Sequence, residues 1–133
     1  MSKALAATPP AKLERAEKIA GVGMFFGHGL RTMFHVKRWW LLNKRLEIEW
    51  DFEKAGGIMD ELEEIIRAER VNVETAIPLV DADSRLGWEP SMEYMADKWH
   101  LKWKLRQLDN LLAHTMKAYR STLKKNPSLS PLS

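Results

Sequence analysis

Apolar residues recur along most of this chain with the period of an α-helix. Between residues 11 and 46, Ile19, Val22, Phe26, Met33 and Trp40 stand 3, 4, 7 and 7 apart, which makes one stripe on a helix. Between 52 and 77, Phe52, Ala55, Met59, Leu62, Ile66, Val73 and Ala76 share a stripe, and Asp60, Glu61, Glu63, Glu64, Arg67 and Arg70 take the opposite face. Glu63 precedes Arg67 by one turn, a favourable helical pair. From about 91 to 125 the seam is Leu101, Leu105, Leu108, Leu112, Met116, Tyr119 and Leu123, at spacings of 4, 3, 4, 4, 3 and 4. The pattern predicts an all-α chain. Three long helices bury one stripe each in an antiparallel bundle.

Breaks in the pattern set the boundaries. Residues 1–10 read as a flexible leader ending in Pro9-Pro10, with Pro10 suited to a first helical turn. Gly21, Gly23, Gly27 and Gly29 fall within nine residues. At about 1 kcal/mol each against alanine, they predict a kink or interruption of the first helix. The alternative is that Gly23 and Gly27, one turn apart, admit another helix closely. Leu46–Glu53 alternates apolar and acidic residues as a strand would. A lone strand is unstable, however, so 46–51 reads as a helix end and a turn, with Asp51 capping the next helix. Pro78 should end that helix, and Ser91 as N-cap or Pro90 in the first turn should open the last one. Asn126-Pro127 stops it, leaving 127–133 as a disordered tail and 11–126 as a single helical domain.

Composition narrows the function classes. The 133 residues fit one domain. A formal charge of +3, with Lys and Arg interleaved with Asp and Glu, makes nucleic acid an unlikely partner. With no cysteine there is neither a disulfide framework nor a thiolate metal site. That suits a reducing compartment, and a cytoplasmic location is expected. The most apolar run, Ile19–Leu30, is shorter than the roughly 20 residues a membrane crossing needs. Six tryptophans must be buried in the core or used at a partner surface.

The densest chemistry lies in residues 76–95. Asp81, Asp83, Glu89 and Glu93 supply carboxylates, Arg85 a forked donor and Trp88 a flat apolar face. Sugar recognition uses these types, and two carboxylates at a suitable separation also serve glycoside hydrolysis. The structural alternative is that the aspartates cap turns, Arg85 pairs with one of them and Trp88 plugs the bundle end. Glu93, Asp97 and His100 share a helical face, but a di-metal bundle site needs a second such motif. None is present, so neither metal nor cofactor is expected. His28 and His35, seven apart, also share a face and read as structural. The basic positions Lys37, Arg38, Lys44, Arg45, Lys98, Lys102, Lys104 and Arg106 read as a solvated surface.

Thr75-Ala-Ile-Pro-Leu-Val-Asp-Ala-Asp-Ser-Arg-Leu-Gly-Trp-Glu-Pro-Ser-Met-Glu-Tyr94, followed by His100-Leu-Lys-Trp-Lys-Leu-Arg-Gln107, resembles the C-terminal helical region of large bacterial glycoside-hydrolase-like proteins. Lys37-Arg-Trp-Trp-Leu-Leu42 and Asp60-Glu-Leu-Glu-Glu-Ile-Ile66 fit the same resemblance, which covers roughly residues 30–112. It implies a helical accessory module abutting a sugar-processing domain, with Asp83, Arg85, Trp88 and Glu89 near a functional surface. Such proteins are several hundred residues long, so the resemblance implies a fragment that is not catalytic alone. The implied partners are a carbohydrate or a hydrolase-like domain on another chain. The residue pattern independently supports a different class, a protein-interaction or self-association module whose exposed Trp/Leu surface binds a partner or a second copy.

Overall fold

The computed structural model describes residues 3–89 and 94–125. It is all-α, apart from one two-stranded ribbon. A single turn, α1 (Lys3–Ala6), falls in the expected leader and precedes α2 (Pro10–Ile48), which has its proline in the first turn. Then come α3 (Phe52–Ala82), a ribbon of β1 (Trp88–Glu89) and β2 (Tyr94–Met95), and α4 (Lys98–Asn110). A π-helical turn at Leu111–Thr115 leads on into α5 (Met116–Lys125). No described helix is long and apolar enough to cross a membrane.

Helix α3 is the element on which the others pack. It buries Ala55, Ile58, Met59, Leu62, Ile65, Ile66, Val73, Ala76 and Val80, nearly all of its expected stripe, although Phe52 stays largely open. From α2 it receives Leu42 and Leu46 fully, and Phe25 and Trp39 in part. From the C-terminal helices it receives Leu101, Leu108 and Met116, with Leu105, Leu112 and Leu123 beside them. Tyr119 of the expected seam points outward. Asp51 caps α3 as expected, its Oδ1 accepting from the backbone N–H groups of Glu53 and Lys54 at 2.9 and 3.1 Å.

Four expectations fail, each for a physical reason. The glycines at 21–29 do not interrupt α2, which runs unbroken for 39 residues, roughly 58 Å. Contacts with the core and α3 through Phe25 and His28 inside the glycine run, and through Thr32 and His35 just beyond it, hold it helical. The stripe Ile19, Val22, Phe26, Met33 and Trp40 is not core. These side chains are exposed, Phe26 and Met33 by 66 % each. The side of α2 that meets α3 is instead Phe25, His28, Thr32, His35, Trp39, Leu42 and Leu46, at spacings of 3, 4, 3, 4, 3 and 4. Pro78 does not end α3. The helix continues to Ala82 because buried Val80 and the Asp81–Lys98 ion pair anchor its last turn. The last helix does not begin near Ser91, since the chain first pairs Trp88 with Met95 and Glu89 with Tyr94. Asp97 then caps α4, its Oδ1 accepting from Trp99 N and His100 N at 2.8 and 3.0 Å.

Of the five tryptophans whose side chains are described, only Trp39 packs against the core. Trp39 is partly covered, while Trp40, Trp50, Trp99 and Trp103 are exposed, Trp50 and Trp99 by about three quarters of their surface.

Candidate functional site

The connector residues divide into those the structure pairs and those outside its described part. Asp81 accepts both oxygens' worth of hydrogen bonds from Lys98 Nζ, at 2.7 and 2.8 Å. Asp83 closes α3 and accepts from Arg85 three times: backbone N at 3.1 Å, Nε at 2.9 Å and one terminal guanidinium nitrogen at 2.7 Å. That guanidinium and backbone amide push the Asp83 carboxyl down to about 2. Both aspartates are thus engaged by cations: Arg85 pairs with one of them, Asp83, as in the structural alternative, whereas Asp81 pairs with Lys98. Arg85 itself is exposed. Glu93 and the side chains of Trp88 and Glu89 lie outside the described residues. Asp97 holds His100 Nδ1 at 3.0 Å. Among the described residues, no group of three His, Asp or Glu side chains is placed to hold a metal ion.

Chemistry that sequence reasoning passed over sits between the helices. Glu69 lies on the buried stripe of α3, between Ile66 and Val73, with 7 % of its side chain exposed. A carboxylate is costly there unless its lone pairs are filled. Oε1 accepts from Thr32 Oγ1 at 2.6 Å and from Lys104 Nζ. Oε2 accepts from His35 Nδ1 at 2.5 Å and, more weakly, from Asn72 Nδ2 at 3.4 Å. Burial pushes the Glu69 carboxyl up, but hydrogen bonds from Lys104, Thr32 and His35, with the charge of Lys104, outweigh burial and hold it below the usual carboxylate range. Asn72, also buried, donates through Nδ2 to the His28 carbonyl at 3.0 Å and to Thr32 Oγ1 at 3.1 Å. Its Oδ1 meets His28 Nδ1 at 2.8 Å. Three elements therefore join in one network: His28, Thr32 and His35 from α2, Glu69 and Asn72 from α3, and Lys104 from α4.

The legible signal was a polar residue on an apolar stripe. Glu69 continues the run Leu62, Ile66, Val73 and Ala76 at helical spacing. Only pairing explains a carboxylate there. His28 and His35 do share a face, as their spacing implied, and α3 supplies the partners that the sequence alone did not reveal.

The network floors a trough. Helices α2 and α4 both pack on α3 and leave a cavity of about 790 Å³ between them. Val22, Phe25, Phe26 and Met33 form one wall, Leu101 and Trp103 the other, and Ala76 and Val73 part of the base. His28, Thr32, Asn72 and Lys104 supply the polar floor, and His100 and Gln107 of α4 add polar groups to its far wall. Met95 of the ribbon and Ala96 just after it also line it, so the end of the connector borders this cavity.

No protein-family model, no curated protein and no solved structure matches the chain.

Proposed function

We propose that this chain is a helical interaction module that docks a partner helix along the outward side of α2. The observation carrying this reading is that α2 is apolar on nearly all sides from Ile19 to Val36, whereas α3 covers only one. Directly away from α3, at spacings of 4, 4, 3, 4, 7 and 7, stand Ile19, Gly23, Gly27, Leu30, Phe34, Leu41 and Ile48. The five large members of that stripe are all exposed by half or more. A helix apolar all round belongs in the interior of an assembly, and an exposed apolar strip of this extent marks an interaction surface. Within the chain, the partner side chains run in opposite sequence order between neighbouring helices: His28 with Asn72 and Arg38 with Glu61, then Asp60 with Arg120 and Arg70 with Asp109. This supports an antiparallel three-helix bundle that leaves the far side of α2 free for a further helix.

The simplest partner is a second copy, because one stripe can pair with itself across a two-fold axis. Light scattering on the full chain at increasing concentration should show a dimer, and Phe34→Glu with Leu41→Glu should leave a folded monomer. A wild-type monomer at every concentration removes self-association. A Phe34→Glu, Leu41→Glu variant that still assembles removes this surface. If the wild type floats with lipid vesicles instead, the stripe meets a membrane surface. The resemblance to glycoside-hydrolase-like proteins would make the partner a sugar-processing domain on another chain. That narrower reading rests on the resemblance alone, since Asp81 and Asp83 are already engaged by Lys98 and Arg85.

A further inference from the structure

The trough between α2 and α4 shares only Leu30 with the outward stripe, and its polar floor has a defined hydrogen-bond direction. Asn72 Nδ2 lies within bonding distance of the His28 carbonyl oxygen, Thr32 Oγ1 and a Glu69 carboxylate oxygen. Reversing the amide would set its oxygen against two groups that only accept. The amide orientation is therefore fixed, and Oδ1 can only accept from His28. It follows that His28 Nδ1 carries the proton in the neutral ring and Nε2 carries the lone pair. Among the described residues, no side-chain nitrogen or oxygen is both buried and without a partner. No partner is found there for Nε2, so it reaches open space, and the space beside His28 is the trough.

We propose that the trough binds a neutral, largely apolar molecule bearing one hydroxyl group, a phenol or an alcohol, which donates its hydrogen bond to His28 Nε2. The volume of about 790 Å³ lies in the range of small-molecule sites, whose walls are mostly apolar with a few placed polar groups. The wall of α2 from Val22 to Met33 is roughly 17 Å long at 1.5 Å per residue, which suits a body of two or three rings or a medium chain. Charge selects against ions. The one ammonium at the floor, Lys104, is held by Glu69, and the one carboxylate is held by Lys104, Thr32 and His35. Neither an anionic nor a cationic head group finds a free counter-charge there. What remains at this floor is an acceptor held in place by Asn72, which is about 95 % buried and is itself bonded to the equally buried Glu69.

A matched pair of probes tests this. 2-Naphthol and its methyl ether differ by one donor on the same apolar body. Titrated calorimetrically into the full chain, the naphthol should bind about tenfold more tightly, the factor expected of one net hydrogen bond. His28→Phe should erase the difference while retaining weak binding of both. Nitrogen-15 NMR of the free protein should show His28 protonated at Nδ1, which keeps the proposal testable if that variant fails to fold. Met33→Trp, which fills the trough from its wall, should abolish binding of both probes. Equal affinities for the two probes in the wild type, no binding of either, or a His28 ring protonated at Nε2 would each overturn the proposal. Phe34→Glu with Leu41→Glu, at positions that do not line the trough, should leave naphthol binding unchanged, so loss of assembly and loss of ligand are separable.

Discussion

Asn72 grips His28 from two sides: its Nδ2 sits 3.0 Å from the His28 carbonyl oxygen and its Oδ1 sits 2.8 Å from that residue's Nδ1. The pair joins the middle of α2 to α3 and continues into Thr32 and Glu69, a polar layer within an otherwise apolar seam. A polar pair in an apolar seam contributes little net stability but penalises wrong registers, because any slip strands both groups. In this chain it also fixes which nitrogen of His28 faces the trough.

That relationship sets an order of stability among substitutions at residue 72. Asn72→Leu leaves the His28 ring and the Thr32 hydroxyl without their partner, and should cost about 2 kcal/mol in urea unfolding. Asn72→Asp keeps the shape but places a second carboxylate beside Glu69 Oε2, now 3.4 Å from the amide. It also turns an acceptor toward the His28 carbonyl. The aspartate should therefore be the less stable of the two near neutral pH, although it is the closer mimic. The reverse order would mean that the network does not carry the polarity assigned to it.

Acid should act through Glu69. Its carboxyl lies below the ordinary 4.5 in the folded protein, so folding favours the charged form. The contribution is complete above about pH 4.5 and is lost as pH falls through the lowered folded-state value. Other paired carboxylates, such as Glu63 beside Arg120, also titrate there. The informative quantity is thus the difference between wild type and Glu69→Gln. That variant should be less stable by about 2–3 kcal/mol at pH 7, the cost of breaking a buried, hydrogen-bonded pair. The gap should narrow as both are taken toward pH 3. A gap independent of pH would show that the carboxylate charge has no part in the network.

How far the sequence discloses this fold depends on how one-sided each helix is. In α3 the apolar residues occupy one face and the charges the other, so the phase of the stripe is unambiguous and the buried set was legible. In α2 apolar residues lie all round. The most hydrophobic stripe, from Ile19 to Trp40, predicts the core, while the true inward face carries His28, Thr32 and His35. Hydrophobicity chose the wrong side because the partner face is partly polar and its polarity is satisfied only by Glu69 and Asn72, more than thirty residues away. The leucine seam of the last helix held a subtler clue. Leu108, Leu112 and Met116 take two successive steps of four, more than a 3.6-residue turn supplies, and the π-helical turn at Leu111–Thr115 absorbs the excess. Pro78 and Ser91 were read by local rules that tertiary contacts overrode. Of the candidate site, the connector residues were visible as chemistry. The trough was not, because a cavity between two helices packed on a third has no signature in a linear pattern.

The ribbon gives a contrast between two glycines. Gly87 has φ of +73°, and a Cβ there would stand 2.6 Å from the carbonyl oxygen of Ala96. The same turn is tied by the Ala96 N–H donating to Gly87 O at 2.6 Å. Gly87→Ala should cost about 2 kcal/mol or more, from the left-handed backbone and from the clash with rigid main chain. Gly57→Ala, in an open position of α3 with nothing within 4 Å of the new methyl, should instead stabilise by up to about 1 kcal/mol. Thermal unfolding of the two variants checks both signs at once.

The glycines of α2 offer the sharpest separation between folding and assembly. An added Cβ at Gly23 or Gly27 meets nothing within 4 Å, so no packing among the described residues explains their presence in a helix interior. Taken as an isolated chain, Gly23→Ala with Gly27→Ala should be more stable, by up to about 1 kcal/mol per site, through helix propensity. If a partner helix approaches closely over these two positions, the same methyl groups stand between the backbones and weaken the contact. The double variant should therefore unfold at a higher temperature when dilute, yet associate at least tenfold more weakly in sedimentation equilibrium. A destabilising substitution can weaken assembly merely by unfolding the chain, and this one cannot. Stabilisation together with unchanged or stronger association would place the partner elsewhere on the surface and leave the two glycines without a role.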